Sequence, residues 1–170
     1  GDAVALAGSL HSYDLAYLDP PYNQHRYFTN YHVWETLVAW DRPEHYGVAC
    51  KRLDARDDAT KSVFNRRREM PAALGRTINA LAAEAVVVSY DDWGWATVVG
   101  ARDICAARGE VVALAFDSKR YVGAQIGIHS PAGDKVGTVS HTRNLEYVVT
   151  AGPRATVQRM TAPFESAIVA

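Results

Sequence analysis

Cysteine is scarce in this 170-residue sequence: Cys50 and Cys105 stand 55 positions apart, and neither belongs to a metal-type pair. That excludes a disulfide framework and points to two free thiols in a reducing compartment, with a cytoplasmic location as the expectation. Long apolar runs are missing too, since none approaches the ~18 uncharged residues of a membrane-spanning helix. Gly1 to Leu10 includes Asp2 and no basic residue, so no signal peptide is expected. Net charge is nearly absent at −1, which rules out a uniformly basic nucleic-acid glove. There is no internal repeat, low-complexity tract or linker.

Hydrophobic residues make up 48% of the chain, enough for the core of a single domain. Charge is unevenly spread. Between Lys51 and Arg76 stand eight basic residues against four acidic ones, a local excess of four positive charges. Such a stretch can meet phosphates in a chain that is neutral overall, or it can be a solvated, salt-bridged face.

Periodicity outlines an α/β chain. Leu15–Leu18 is a short apolar run stopped by Asp19, Pro20 and Pro21, and reads as a buried strand. Asn23 to Asn30 reads as a loop. Val33, Trp34, Leu37, Val38 and Trp40 suggest a helix that stops near Pro43. Met70, Leu74, Ile78 and Leu81 predict a helix over 68–83, with Pro71 in its first turn. Further strands are expected at 85–90, 111–116 and 145–150, with a helix over 96–107 capped by Gly109. Tyr121 to Ile128 reads as a strand or ribbon, followed by a turn from Ser130 to Lys135. Beyond Gly152 no pattern predicts an element. The order implies part of an open α/β sheet with an antiparallel C-terminal edge.

The sharpest local feature is Asp19-Pro20-Pro21-Tyr22 at the end of the first strand. Ligands of open α/β sheets bind beyond the carboxyl ends of strands. The tetrad offers a carboxylate, a stiff turn with free carbonyls but no N–H at its prolines, and a ring. That acceptor-rich turn suits an amine with hydrogens to donate, and Tyr22 suits stacking on a base. The same tetrad can equally be a plain strand-ending turn, and the residues alone leave both readings open.

Over Gly1 to about Val149 the chain resembles the adenine-N6 DNA methyltransferases that carry an Asp-Pro-Pro-Tyr motif. The stretches that carry the resemblance are LAYLDPPYNQHRYFTNYH, KSVFNRR, VVVSYDDWG, FDSKRYVGAQIG and RNLEYVV, in that order. It implies a Rossmann-like S-adenosylmethionine-dependent fold acting on an adenine flipped from double-stranded DNA. It implies that Asp19 and the Pro20 carbonyl accept the two amine hydrogens, that Pro21 stiffens the turn and that Tyr22 stacks on the base. Asp2 falls where an acidic residue meets the methyl donor, beside Asp19. Ser89 to Asp92 resembles a loop that shapes the target pocket.

In the same light Arg26, Tyr27 and Asn30 border the DNA, and Lys61, Asn65, Arg66, Arg67, Lys119 and Arg120 contact it. The polar set His11, Asp14, Asp19, His25 and His32 matches no zinc spacing, and no metal is expected. Tyr27, Phe28, Tyr31, Trp34 and Trp40 are expected mostly to pack. The family's glycine-rich donor loop does not precede Asp19. Residues 1–170 therefore read as a C-terminal catalytic portion, completed by an N-terminal half or a companion subunit. The rival readings are an RNA or protein amine methyltransferase, and an inactive binding remnant. A restriction-modification setting is the expected context.

Overall fold

The structure, a computed structural model, describes residues 2–21, 26–91, 97–119, 128–129, 134–137 and 143–169. A short helix α1 (Ala3–Ala7) comes first, and the Asp2 carboxylate caps it by accepting from the Val4 and Ala5 amides at 2.8 and 3.1 Å. Strand β1 (Tyr13–Leu18) follows, then α2 (Tyr27–Asn30) and α3 (His32–Ala39). The two-residue strands β2 (His45–Tyr46) and β3 (Lys51–Arg52) pair with each other, and three 3₁₀ turns (Leu53–Arg56, Asp58–Thr60, Val63–Asn65) lead on. Next come α4 (Met70–Ala80), β4 (Ala83–Asp91), α5 (Val98–Cys105) and β5 (Glu110–Lys119). The small pair β6 (Ile128–His129) and β7 (Lys135–Gly137) precedes β8 (Arg143–Gly152), α6 (Arg154–Thr161) and β9 (Ile168–Val169).

The main sheet runs in the order β1-β4-β8-β5-β9. β1 and β4 are parallel, while β8 is antiparallel to both β4 and β5. β1, β4 and β5 therefore share one direction, with β8 reversed between them, and β9 closes the far side as an antiparallel edge. This is an α/β fold with a mixed, Rossmann-like sheet whose C-terminal part is antiparallel. The reversed strand lies inside the sheet and not outside β5, because its ten residues pair with β5 and six of them, Glu146 to Ala151, pair with β4 as well.

One face of α4 supplies much of the core. Met70, Leu74 and Ile78 are buried, and they join Val86, Val88 and Tyr90 of β4, Ala101 and Cys105 of α5, and Val149 and Ala151 of β8. The spacing of four that predicted this helix is the spacing of its buried stripe. Burial pushes the Cys105 thiol up to about 11, although Arg108 pulls the other way. The start of β4 is clamped by Arg108, which donates to the carbonyls of Leu81 and Ala83. That turn ends α4 at Ala80, earlier than the sequence periodicity implied.

The structure differs from the sequence reading in three further places. The stretch before Tyr31 is not all loop, since 27–30 form one helical turn. The tail holds α6 and β9, and α6 packs against β5 and β8. The aromatic cluster is largely not packed: Trp34 and Trp40 are 64% and 85% exposed, because no other described element covers that side of α3.

α3 is held to the rest by Arg52, whose side chain is almost fully buried. Its guanidinium makes a two-pronged pair with Asp41 at 2.6 and 2.8 Å, binds Asp54 at 2.7 Å, and donates to the Thr36 hydroxyl at 3.3 Å. Hydrogen bonds from Arg52 hold both carboxyls below the usual range, and the two acids raise the guanidinium in return. Depressed carboxyls contribute stability above their unfolded value of about 4 and lose it as pH falls through the folded values. Arg52→Met is therefore expected to lower the thermal midpoint at pH 7 and to flatten its decline between neutral pH and pH 3. Melting curves of both proteins at the two pH values test this, and parallel declines would contradict it.

Candidate active site

β1 ends at Leu18, and Asp19, Pro20 and Pro21 follow at its carboxyl end. There they line a cavity of about 600 Å³. Asp2 and Ala3, at the start of α1, form a second side. Tyr27 and Phe28 of α2 form a third, and residues 59–65 a fourth. Leu74 and Thr77 of α4 complete the lining. α4 therefore joins the core to the cavity through one helical face.

Asp19 is exposed within this cavity. Among the described residues its carboxylate has no hydrogen-bond or ion-pair partner, and the Pro20 carbonyl takes part in no backbone hydrogen bond. Among the described residues, the site thus presents acceptors that have no partner. Lys61 is a half-buried cation on the facing wall. Ser62 is spent locally, accepting from the Phe64 amide at 3.2 Å.

The Tyr27 ring lies 5.9 Å from that of Tyr31, tilted by 59°. Burial raises the Tyr27 phenol above its ordinary value, and the charge of Asp19 and the neighbouring Tyr31 add to the effect. Tyr27 is held in place by its predecessor. Arg26 reaches across to donate to the carbonyls of Ala55 and Asp57 at 3.0 and 3.1 Å. That guanidinium pins α2 to the 3₁₀ turns.

The structure brings Asp2, Asp19, Pro20, Pro21, Tyr27, Lys61 and Asn65 to one cavity. Asn65 is buried and already partnered. Asn30 is exposed at the end of α2, Arg67 is exposed, and Arg66 lies 3.5 Å from Glu69. Lys119 is exposed at the far end of β5 and does not line the cavity. Tyr22, Arg120 and Asp92 lie outside the described residues. Ser89, Tyr90 and Asp91 belong to β4 and do not line this cavity. Phe28, which the sequence marked only as a packing aromatic, also lines it, as does Thr77, one turn after Leu74 on the face of α4 that the periodicity marks as buried. Among the described residues no group of three His, Cys, Asp or Glu side chains is placed to hold a metal ion. No described helix is long and apolar enough to cross a membrane.

Residues 2–74, which carry nearly every side of this cavity, match the family model of the D12 class N6 adenine-specific DNA methyltransferases. The chain is 35% identical over 93 residues to the type II methyltransferase M.FokI of Planomicrobium okeanokoites, a match covering 55% of this chain and 14% of that protein. It is 28% identical over 101 residues to the type II methyltransferase M.CviAII of Paramecium bursaria Chlorella virus 1, covering 59% and 26%. It is 45% identical over 40 residues to the modification methylase LlaI of Lactococcus lactis subsp. lactis, covering 24% and 6%. The matched stretches thus span about a quarter or less of each relative's length. No solved structure matches the chain. The likeness is at family level, to adenine-N6 DNA methyltransferases.

Proposed function

We propose that this chain is the catalytic portion of a DNA adenine-N6 methyltransferase that uses S-adenosylmethionine. The observation that carries the reading is the Asp19 carboxylate, without a partner among the described residues, at the carboxyl end of β1 and inside a cavity whose residues, Thr77 apart, fall in the family-matched stretch. The relatives' names, type II methyltransferase and modification methylase, support a role in marking DNA beside a restriction enzyme.

The mechanism follows from the acceptors. Adenine's exocyclic amine is a weak nucleophile because its lone pair is delocalised into the ring. Asp19 accepts one amine hydrogen and the Pro20 carbonyl accepts the other. That arrangement favours a more tetrahedral nitrogen with its electron pair free for in-line attack. Positive charge grows on nitrogen as the new bond forms, so the carboxylate helps most in the transition state. Pro21 keeps the turn stiff, and Tyr22 stacks on the flipped base, offsetting a few kcal/mol of unstacking. The proton leaves afterwards, so Asp19 need not be a strong base.

S-adenosylmethionine, when bound, supplies the electrophilic methyl group. Asp2 and Asp19 line the same cavity, so this chain's residues fit one side of a donor site. Asp2 keeps α1 capped through one oxygen, and its other oxygen makes none of these bonds. The donor-binding part, in the same polypeptide or a companion subunit, adds along the open edge of β1. Two features support that place: among the described strands β1 pairs with β4 alone, and Tyr13, Leu15 and Tyr17 are each about half exposed or more beside an apolar groove of about 350 Å³. DNA is engaged by Tyr27, Asn30, Lys61 and Arg67, with Arg66 and Lys119 on the flanks and Arg120 as a further contact. Arg26 and Asn65 act from behind them.

The test is methyl transfer from labelled donor by the protein containing this segment, offered duplex DNA, RNA and protein. N6-methyladenine in the DNA digest is expected. Label confined to RNA or protein, or to cytosine, would overturn the reading.

A further inference from the structure

Tyr27 opens α2 on the cavity wall, in the same cavity as Asp19 and Pro20. It keeps about half of its surface open, and its hydroxyl has no hydrogen-bond partner among the described residues. The other ring of that wall, Phe28, has no polar atom to offer. Two contacts hold the position: Arg26 donates to two carbonyls, and the Tyr31 ring packs against that of Tyr27. Among the described residues the cavity thus holds a carboxylate and a phenol without hydrogen-bond partners, an acceptor and a donor in one lining.

Resting on the methyltransferase reading, we propose that the Tyr27 hydroxyl determines base specificity by donating a hydrogen bond to the ring nitrogen that flanks the target amine. Adenine carries such acceptor nitrogens on both sides of its amine. Guanine presents a carbonyl in place of the amine, which leaves Asp19 wrongly paired, and a protonated nitrogen on the pyrimidine-ring side of that carbonyl, which leaves Tyr27 wrongly paired as well when that side is the one it reads. Burial and the nearby Asp19 charge keep the phenol protonated, so it remains a donor at neutral pH. The carboxylate reads the amine hydrogens and the phenol reads the ring electrons beside them.

The experiment titrates the protein that contains this segment with 2′-deoxyadenosine and its 1-deaza and 7-deaza analogues, using wild type, Tyr27→Phe and Asp19→Ala. Tyr27→Phe keeps the ring and removes only the hydroxyl. It is expected to weaken 2′-deoxyadenosine binding roughly five- to tenfold, the worth of one hydrogen bond. One deaza analogue should bind wild type as weakly as that and should not distinguish wild type from Tyr27→Phe, thereby identifying the nitrogen read. Equal affinity of wild type and Tyr27→Phe for 2′-deoxyadenosine, with Asp19→Ala impaired, overturns this inference and leaves the methyltransferase reading standing. A Tyr27→Phe loss that persists with both analogues also overturns it, because the hydroxyl then acts on the fold and not on the base. Wild type and Asp19→Ala binding alike, or not at all, overturns the underlying reading and the inference together.

Discussion

Asp19→Ala lowers methyl transfer by about 10²–10³-fold in the protein that contains this segment, the scale on which a preorganised transition-state contact is lost. The carboxylate faces the cavity and is bonded to nothing else described, so its removal leaves no buried group stranded. The fold should therefore be untouched, and the thermal midpoint should stay near that of wild type. Asp19→Asn is the sharper comparison. Its amide oxygen still accepts a hydrogen bond but carries no charge, so the activity should fall between wild type and alanine. Single-turnover rates with labelled donor, measured beside melting curves, separate the two effects. Undiminished turnover in Asp19→Ala would remove the carboxylate from the chemistry. A collapse of the melting curve would recast Asp19 as a structural residue.

The largest effect on stability is expected at Gly152, where β8 ends against β4. The backbone there has φ of +157°, and an added Cβ would lie 2.9 Å from the Glu84 carbonyl oxygen and 3.1 Å from both Cα and Cβ of Ala85. None of these atoms is the end of a flexible side chain, so the strands themselves must separate. Gly109 approaches the same point, its own added Cβ falling 2.8 Å from the Gly152 oxygen. Gly152→Ala is expected to cost roughly 2–4 kcal/mol, from overlap together with the unfavourable backbone angle. In a chain of this size that is a fall of about 5–15 °C in midpoint. Gly47→Ala is the control, because its φ is +67° but nothing lies within 4 Å. It should cost only about 1 kcal/mol, the backbone penalty alone. Calorimetry of both variants tests the difference, and equal losses would show that the close approach at Gly152 has no energetic weight.

The parts of this molecule that were legible in the sequence are those fixed by local chemistry. Asp19-Pro20-Pro21 could be placed after a strand because the prolines cannot extend a ladder, and the turn does follow β1 directly. Met70, Leu74 and Ile78 could be assigned to a core face because their spacing matches the helical period, and all three are buried. α6 was not legible, since only Val157 and Thr161 of its eight residues are buried and a polar helix shows no stripe. The helical turn at 27–30 is too short to have a period. The place of β8 between β4 and β5 depends on pairings between residues far apart in sequence, which no local pattern encodes. The exposed Trp34 and Trp40 show the converse: aromatic character predicts a wish for burial, but the surrounding elements decide whether it is met.

The site shows the same division. The resemblance marks Asp2, Lys61 and Asn65, and folding gathers them with Asp19 around one cavity. The resemblance places Arg26 at the DNA, yet its guanidinium is engaged by two carbonyls, a use that depends on the 3₁₀ turns some 30 residues away. Charge in a sequence names a residue's chemistry but not its partner.

The most direct measurement is a crystal structure of the protein holding duplex DNA with a flipped adenine. The exocyclic nitrogen is expected at hydrogen-bonding distance, about 2.7–3.2 Å, from both an Asp19 carboxylate oxygen and the Pro20 carbonyl oxygen. An adenine seated in the cavity with its amine turned away from both oxygens would contradict the account.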